Sequence, residues 1–343
     1  MSELFPLCLC RAGFESDLAA ELQEDITAAG ARGLTVQTGK ALLRLTGKQA
    51  DVAPYWQRWQ SQQHWRRFPV FAREVACGFA QLRELPRHGR VERIVAMVRA
   101  RGVSFGQIAV YAPDHPDSRP LEPLARALEG HLRRELPLEA GQSEALHVIL
   151  VDSAEIWLAL APATLRAPWP AGVPRLKFPR EAPSRSVLKL EEAALALLSD
   201  AERRKWLVKS MRAVDLGAAP GGWTWQLVHW GLRVTAIDNG PMDPGLMASG
   251  QVEHKRVDGF KFSPPRPVDW LVCDMVEKPL RVAELAAGWL AQGWARRAVV
   301  NLKLPMKKRL EPLARCLAQF KGMDVRCKQL YHDREEVTAL IVA

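Results

Sequence analysis

Asp215-Leu216-Gly217-Ala218-Ala219-Pro220-Gly221-Gly222-Trp223 is the stretch on which the fold turns. An apolar segment, 213–216, runs into a glycine-rich turn, and a helical pattern follows over 222–230. Glycines permit backbone torsions that side chains forbid and let a ligand approach the chain closely. Free N–H groups at the start of a helix can bind a carboxylate. The spacing is not the dinucleotide-binding Gly-x-Gly-x-x-Gly, because Ala219 stands where the second glycine would be. It is not a P-loop either, since no Gly-Lys-Ser/Thr follows. The plain alternative is a tight strand–helix turn without a ligand.

Two acids downstream weigh against that alternative. Asp238 closes the next apolar strand, 234–237, where an acid can accept hydrogen bonds from a ribose diol. Asp258, in Val257-Asp258-Gly259-Phe260, closes a third strand and can accept from an adenine amino group. Either acid alone is an ordinary strand-end residue; the loop and both acids in this order predict a nucleoside cofactor. Further apolar runs at 270–273 and 298–302, with helices over 282–289 and 311–320, continue the alternation. Fully buried short strands alternating with helices predict an α/β fold, a mostly parallel doubly wound sheet. Segments 325–330 and 337–342 predict an antiparallel hairpin at its edge.

Residues 162–183 are rich in proline, including Pro168, Pro170, Pro174 and Pro179, which disfavours helix and central strand. The main boundary is placed there. The full division predicted is 1–60, 61–162, a linker at 163–183, and 184–343. In the first part, 4–10 reads as a strand, 15–29 as a helix, and 34–36 and 42–45 as return strands. In the second, helices are predicted over 91–100 and 121–132, with strands at 107–111, 146–151 and 155–160. Trp56 and Trp59 stand at helical spacing and are expected in the core, as are Trp223 and Trp225.

The six cysteines form no Cys-x-x-Cys pair, so no metal site is expected and buried, reduced thiols are. No long apolar run or leader pattern is visible, which predicts a cytoplasmic protein with no membrane partner. No heptad or apolar stripe argues for a dimer, and the expectation is a monomer. Net charge is +10, of which 1–170 carry only +1 and the remainder +9. A basic C-terminal half suggests a polyanionic partner. Lys307-Lys308-Arg309, with Arg296 and Arg297, fits equally a track for phosphates or the wet face of a helix. Arg203, Arg204, Lys205, Lys209 and Arg212 extend the candidate surface.

The loop at Asp215–Trp223 resembles that of FtsJ-type RNA 2′-O-ribose methyltransferases. The resemblance continues through Ser184-Arg185-Ser186-Val187-Leu188-Lys189-Leu190-Glu191, Asp269-Trp270-Leu271-Val272-Cys273-Asp274-Met275, Asn301-Leu302-Lys303-Leu304-Pro305 and Arg334-Glu335-Glu336-Val337-Thr338. The N-terminal half, from Arg11-Ala12-Gly13-Phe14-Glu15 onward, is similar to a ferredoxin-like unit, here 1–60, and an RNA-binding THUMP region, here 61–162. Both halves together resemble the ribosomal RNA large subunit methyltransferase M family. That resemblance implies a Rossmann-like methyltransferase domain, the cofactor S-adenosyl-L-methionine, and methylation of a cytidine 2′-hydroxyl in 23S rRNA, either naked or in a precursor particle. It places the family's catalytic Lys-Asp-Lys-Glu set on Lys189, Asp274, Lys303 and Glu336. Cofactor contacts fall on Ser186, Ala219, Pro220, Gly221, Gly222, Asp238, Asp258 and Asp274. Ala219 departs from relatives with Cys or Ser there, a change that a backbone-mediated contact tolerates.

An alcohol is a poor nucleophile until it loses its proton, while a sulfonium methyl is already activated. Lys303 as base must be neutral when it acts. Burial and the neighbouring cation Lys189 push its pKa down; Asp274 and Glu336 push it up. Asp274 is expected to orient Lys303, with Lys189 and Glu336 positioning the ribose. Amino methylation goes with Asn/Asp-Pro-Pro-aromatic, whereas Asp274 is followed by Met275-Val276-Glu277. Carbon-5 methylation needs a nucleophilic cysteine, and Cys273 should point away from Asp274 by strand alternation. Two further alternatives are a 2′-O-methyltransferase of another RNA such as tRNA, and a non-catalytic RNA-binding protein that has kept the fold.

Overall fold

Residues 4–62 and 64–343 are described in the computed structural model of the chain. They divide into two units, one ending at Val173 and the other beginning at Pro174.

The first unit runs β1 (Phe5–Cys10), α1 (Glu15–Ala28), β2 (Thr35–Thr38), β3 (Leu42–Thr46), α2 (Gln49–Gln62), β4 (Ala72–Leu82), α3 (Arg90–Arg101), β5 (Gln107–Tyr111), α4 (Glu122–Glu135), β6 (Ala145–Leu150) and β7 (Ile156–Ala161). Its strands form one sheet in the order β2-β3-β1-β4-β7-β6-β5. Among the described residues of this sheet, only β5 and β6 pair in parallel. Strands from both 1–60 and 61–162 share this sheet, joined where β1 pairs with β4. Gly78 of β4 is required by that pairing: a Cβ there would lie 2.1 Å from the Phe5 ring, which packs edge-on to Trp157. Ile94 and Val98 of α3, with Leu128 and Leu132 of α4, present i,i+4 apolar pairs to Val148 and Leu158 of the sheet. Trp56 and Trp59 are buried on α2.

The second unit runs α5 (Val187–Leu197), α6 (Asp200–Trp206), β8 (Arg212–Leu216), α7 (Gly222–His229), β9 (Arg233–Ile237), α8 (Pro244–Met247), β10 (Val252–Lys255), β11 (Val268–Cys273), α9 (Pro279–Ala291), β12 (Ala295–Lys303), α10 (Leu310–Leu317), β13 (Asp324–Lys328) and β14 (Glu336–Val342). The sheet order is β10-β9-β8-β11-β12-β14-β13. The first five strands are parallel, and β14 is antiparallel to both its neighbours. From β8 the chain winds one way through β9 and β10, then returns to wind the other way through β11 and β12. The switch point therefore lies between β8 and β11, where open α/β sheets bind ligands at the carboxyl ends of their strands. Leu216, Cys273 and Val300 stand level across β8, β11 and β12. The glycine turn and Asp274 consequently leave the sheet side by side.

Candidate active site

The glycine turn is held open by what packs against it. Gly217 has φ +75°, and a Cβ on it would lie 2.4 Å from Met275 Cγ, so a side chain is excluded on both counts. Gly222, the first residue of α7, faces Ser186: a Cβ there would stand 2.2 Å from Ser186 Oγ. The residues preceding α5 thus close down on the start of α7. Ser184 Oγ accepts from the Ser186 backbone N–H at 3.2 Å and donates to Ser186 Oγ at 3.1 Å, which fixes that approach.

Asp238, just past β9, pins the turn from the other side. Its Oδ2 accepts from the Ala219 N–H at 3.0 Å and its Oδ1 from the Gly240 N–H at 2.7 Å. Each carboxylate oxygen retains a second lone pair. Asp258 is exposed three residues beyond the end of β10, later than the sequence placed it, and its Oδ1 accepts from the Phe260 N–H at 2.9 Å. Beneath the turn, Asp215 is 1% exposed and accepts from Thr224 Oγ1 at 2.6 Å. Burial drives its carboxyl up to about 7; Thr224 pulls it back and the charge of Asp274 adds to the rise. Trp223 is buried, and Trp225 lies flat on the His229 ring at 4.9 Å.

Lys189, Asp274, Lys303 and Glu336 meet at the carboxyl edge of the sheet. Lys303 ends β12 and Glu336 begins β14, and the two are directly paired across the strands. Asp274 follows β11, and Lys189 lies on the first turn of α5. Lys303 Nζ donates to Asp274 Oδ1 at 2.7 Å and to Glu336 Oε2 at 3.3 Å. Lys189 Nζ donates to Asp274 Oδ2 at 3.4 Å and forms an ion pair with Glu336 Oε1. Two cations and two carboxylates therefore alternate around a nearly closed ring. Burial lowers the Lys303 ammonium's pKa, but the charges and hydrogen bonds of Asp274 and Glu336 outweigh it, and the net shift is upward. For Glu336, burial raises the carboxyl, and the bonds and charges of Lys189 and Lys303 more than reverse it, so it ionises below the usual range. The resting site is an ammonium–carboxylate network.

Two buried carboxyls that the sequence reading passed over hold this ring in place. Asp333 is fully buried and accepts from Thr338 Oγ1 at 3.0 Å, Asn301 Nδ2 at 3.4 Å and the Leu330 N–H at 3.0 Å. Asn301 and Thr338 are a cross-strand pair two residues behind Lys303 and Glu336, so Asp333 staples β12 to β14 there. Glu192, one turn after Lys189, accepts from the Tyr331 and His332 N–H groups at 2.8 and 2.9 Å. It ties α5 to the segment preceding β14. In the sequence Glu192 is one of three charges, with Lys189 and Glu191, among apolar residues.

Part of the proposed basic surface dissolves. Arg309 is 5% exposed and paired with Glu335, and Lys307 and Lys308 lie in an irregular bend before α10, on neither face of a helix. Arg203 donates to the carbonyls of Leu195 at 3.1 Å and Leu198 at 2.9 Å, closing the end of α5. Cys273 is buried with its thiol pushed to about 12, first by burial, which leaves no thiolate for covalent chemistry at neutral pH. Among the described residues, no His/Cys/Asp/Glu group could hold a metal, and no helix is long and apolar enough to cross a membrane.

Residues 182–328 match the FtsJ-like methyltransferase family, and residues 1–75 match the RlmM ferredoxin-like domain. Ribosomal RNA large subunit methyltransferase M of Aromatoleum aromaticum is 44% identical, over 98% of this chain and 94% of the relative. The protein of the same name from an Azoarcus species is 45% identical over 98% and 95%, and that of Xanthomonas campestris pv. campestris 44% over 97% and 98%. The chain belongs to the ribosomal RNA large subunit methyltransferase M family. The sheet that follows Pro174 is thus a methyltransferase domain of the FtsJ-like kind, and the N-terminal sheet begins with a ferredoxin-like domain. Both the α/β class and the family resemblance expected from the sequence hold.

Proposed function

We propose that this methyltransferase transfers a methyl group from S-adenosyl-L-methionine to the 2′-hydroxyl of a cytidine in 23S rRNA, with Lys303 as general base. The observation that carries this reading is the convergence of Lys189, Asp274, Lys303 and Glu336 beside the glycine turn.

The residues present fit the cofactor. Asp238 has lone pairs left for a ribose diol, and Asp258 has a carboxylate oxygen for an adenine amino group. Ser186 and Ala219, Pro220, Gly221 and Gly222 form the close-packed backbone cradle, and Asp274 stands between that cradle and Lys303. When bound, the cofactor supplies a methyl carbon on a sulfonium, which needs no further activation. What the chain must add is proton removal and orientation. Lys303 Nζ in its neutral form accepts the 2′-hydroxyl proton, and Asp274 at 2.7 Å steadies the ammonium that results. Lys189 and Glu336 complete the ring and hold the ribose. Because the two carboxylates favour the charged amine, the reactive form is the minor one at rest.

The N-terminal half, a ferredoxin-like part at 1–60 and a THUMP-like part at 61–162, serves as the RNA-binding portion. Residues 163–183 connect it to the catalytic domain at 184–343. The setting is cytoplasmic and the acting form a monomer.

Mass spectrometry of digested 23S rRNA from cells with and without this protein tests the reaction. One 2′-O-methylcytidine should disappear with the protein. A methyl lost from a nucleobase instead, or no change in the rRNA, would contradict the proposal.

A further inference from the structure

The N-terminal unit contains a cavity of ≈ 510 Å³ that methyl transfer does not use. Its lining includes Arg66, Arg133, Arg166, Glu74, His147 and Trp169. Three guanidiniums face one carboxyl. Glu74 is fully buried, and its Oε1 accepts from the backbone N–H groups of Val75 at 3.2 Å and Ala167 at 3.0 Å. His147 is buried, with Nδ1 2.6 Å from the Tyr111 hydroxyl. Burial first, and Arg166 second, hold its pKa down to about 3, so it stays neutral. The arginines therefore set the sign of the cavity.

Arg133 is occupied by Glu129 on its own helix at 2.7 Å and by the Ile108 carbonyl at 2.8 Å. Arg166 differs. Its Nη1 is shielded from solvent and meets no hydrogen-bond acceptor among the described residues. A shielded guanidinium N–H without an acceptor is costly, and an anionic oxygen entering the cavity would satisfy it. Phosphate oxygens suit a guanidinium in charge and geometry. Trp169 is partly exposed and offers an aromatic face, on which any unpaired base can stack. The volume falls within the range of about 300–1,000 Å³ usual for small-ligand sites.

We infer that this cavity receives one nucleotide of single-stranded RNA, its phosphate on Arg166 and its base against Trp169. The inference deepens the RNA-binding reading of the N-terminal half and rests on it. An aromatic face beside a cationic wall favours nucleic acid over an acidic peptide, which has charge but no base to stack.

The test uses the full chain and a labelled 12-nucleotide single-stranded RNA, followed by anisotropy across a salt series. Arg166→Ala should weaken binding roughly tenfold and lower the slope of log K against log salt by about one. Trp169→Ala should weaken binding by roughly tenfold with the slope unchanged. Arg166→Gln, which keeps a side chain of similar reach, should show the same slope loss with wild-type Tm. Cofactor affinity should not change in any of them. Wild-type affinity and slope in all three variants would overturn the cavity assignment and leave the methyltransferase reading untouched. Equal binding of poly-glutamate, which has charge but no base, would reassign the cavity to another anion and overturn it too. A wild-type protein that binds no RNA would bring down the RNA-binding reading along with it.

Discussion

Replacing Asp215 by asparagine should flatten the pH dependence of the catalytic domain's stability. Asp215 lies on the interior strand β8 with 1% exposure, and its carboxyl is raised from an ordinary 3.8 to about 7, chiefly by burial. The folded state therefore binds its proton more tightly than the unfolded chain does. A raised value stabilises fully below the unfolded pKa, and that stabilisation is lost as pH climbs through the folded one. A rise of roughly three units corresponds to about 4 kcal/mol in all, and about 2 kcal/mol of it falls between pH 5 and 7. Asparagine keeps an oxygen for Thr224 Oγ1 and has no proton to lose. Urea unfolding at pH 5, 6, 7 and 8 should show wild type losing stability relative to Asp215→Asn through pH 7, the difference levelling off by pH 8. A constant offset matters little, since the slope carries the argument. If the two curves run parallel from pH 5 to 8, Asp215 does not titrate in that window and the desolvation reasoning fails.

Gly222→Ala should reduce S-adenosyl-L-methionine affinity by roughly tenfold, about 1.4 kcal/mol, because the new Cβ would displace Ser186 Oγ 2.2 Å away. Calorimetric titration checks it, and wild-type affinity would show that the cradle has slack. Glu336→Gln removes one of the two carboxylates that hold Lys303 charged. At 3.3 Å that attraction is about 1 kcal/mol even at the dielectric of water. The rising limb of kcat/KM, which reports Lys303 losing its proton in the free enzyme, should therefore move to lower pH by roughly one unit or more, alongside a lower plateau. A limb that stays put or moves up would show that Glu336 does not tune the amine.

The parallel strands were legible because a strand covered on both faces reads as an unbroken apolar run, as at 270–273 and 298–302. Strand β4 was not, although it is central to the N-terminal sheet: Arg73 and Glu74 break its apolar run, and both are buried. Helix α5 was hidden for the opposite reason. Val187, Leu188, Leu190, Ala193 and Ala194 leave no polar face, so it has no amphipathic period to detect. The four side chains at the sheet edge came from resemblance, because spacing alone could not bring 189 to 336. Nor could residue types give the direction of the Lys303 shift, which depends on carboxylates at 2.7 and 3.3 Å outweighing burial. Arg309 illustrates the reverse error: three basic residues in a row looked like one surface, yet one of them turns inward to Glu335.

Single-turnover methyl transfer by Lys303→Ala, at saturating cofactor and rRNA, tests the central claim most directly. The account predicts that cofactor and RNA affinities stay within about twofold of wild type while the transfer rate falls by 10²-fold or more, the usual contribution of a positioned base. Wild-type transfer from a variant that binds both ligands normally would contradict it.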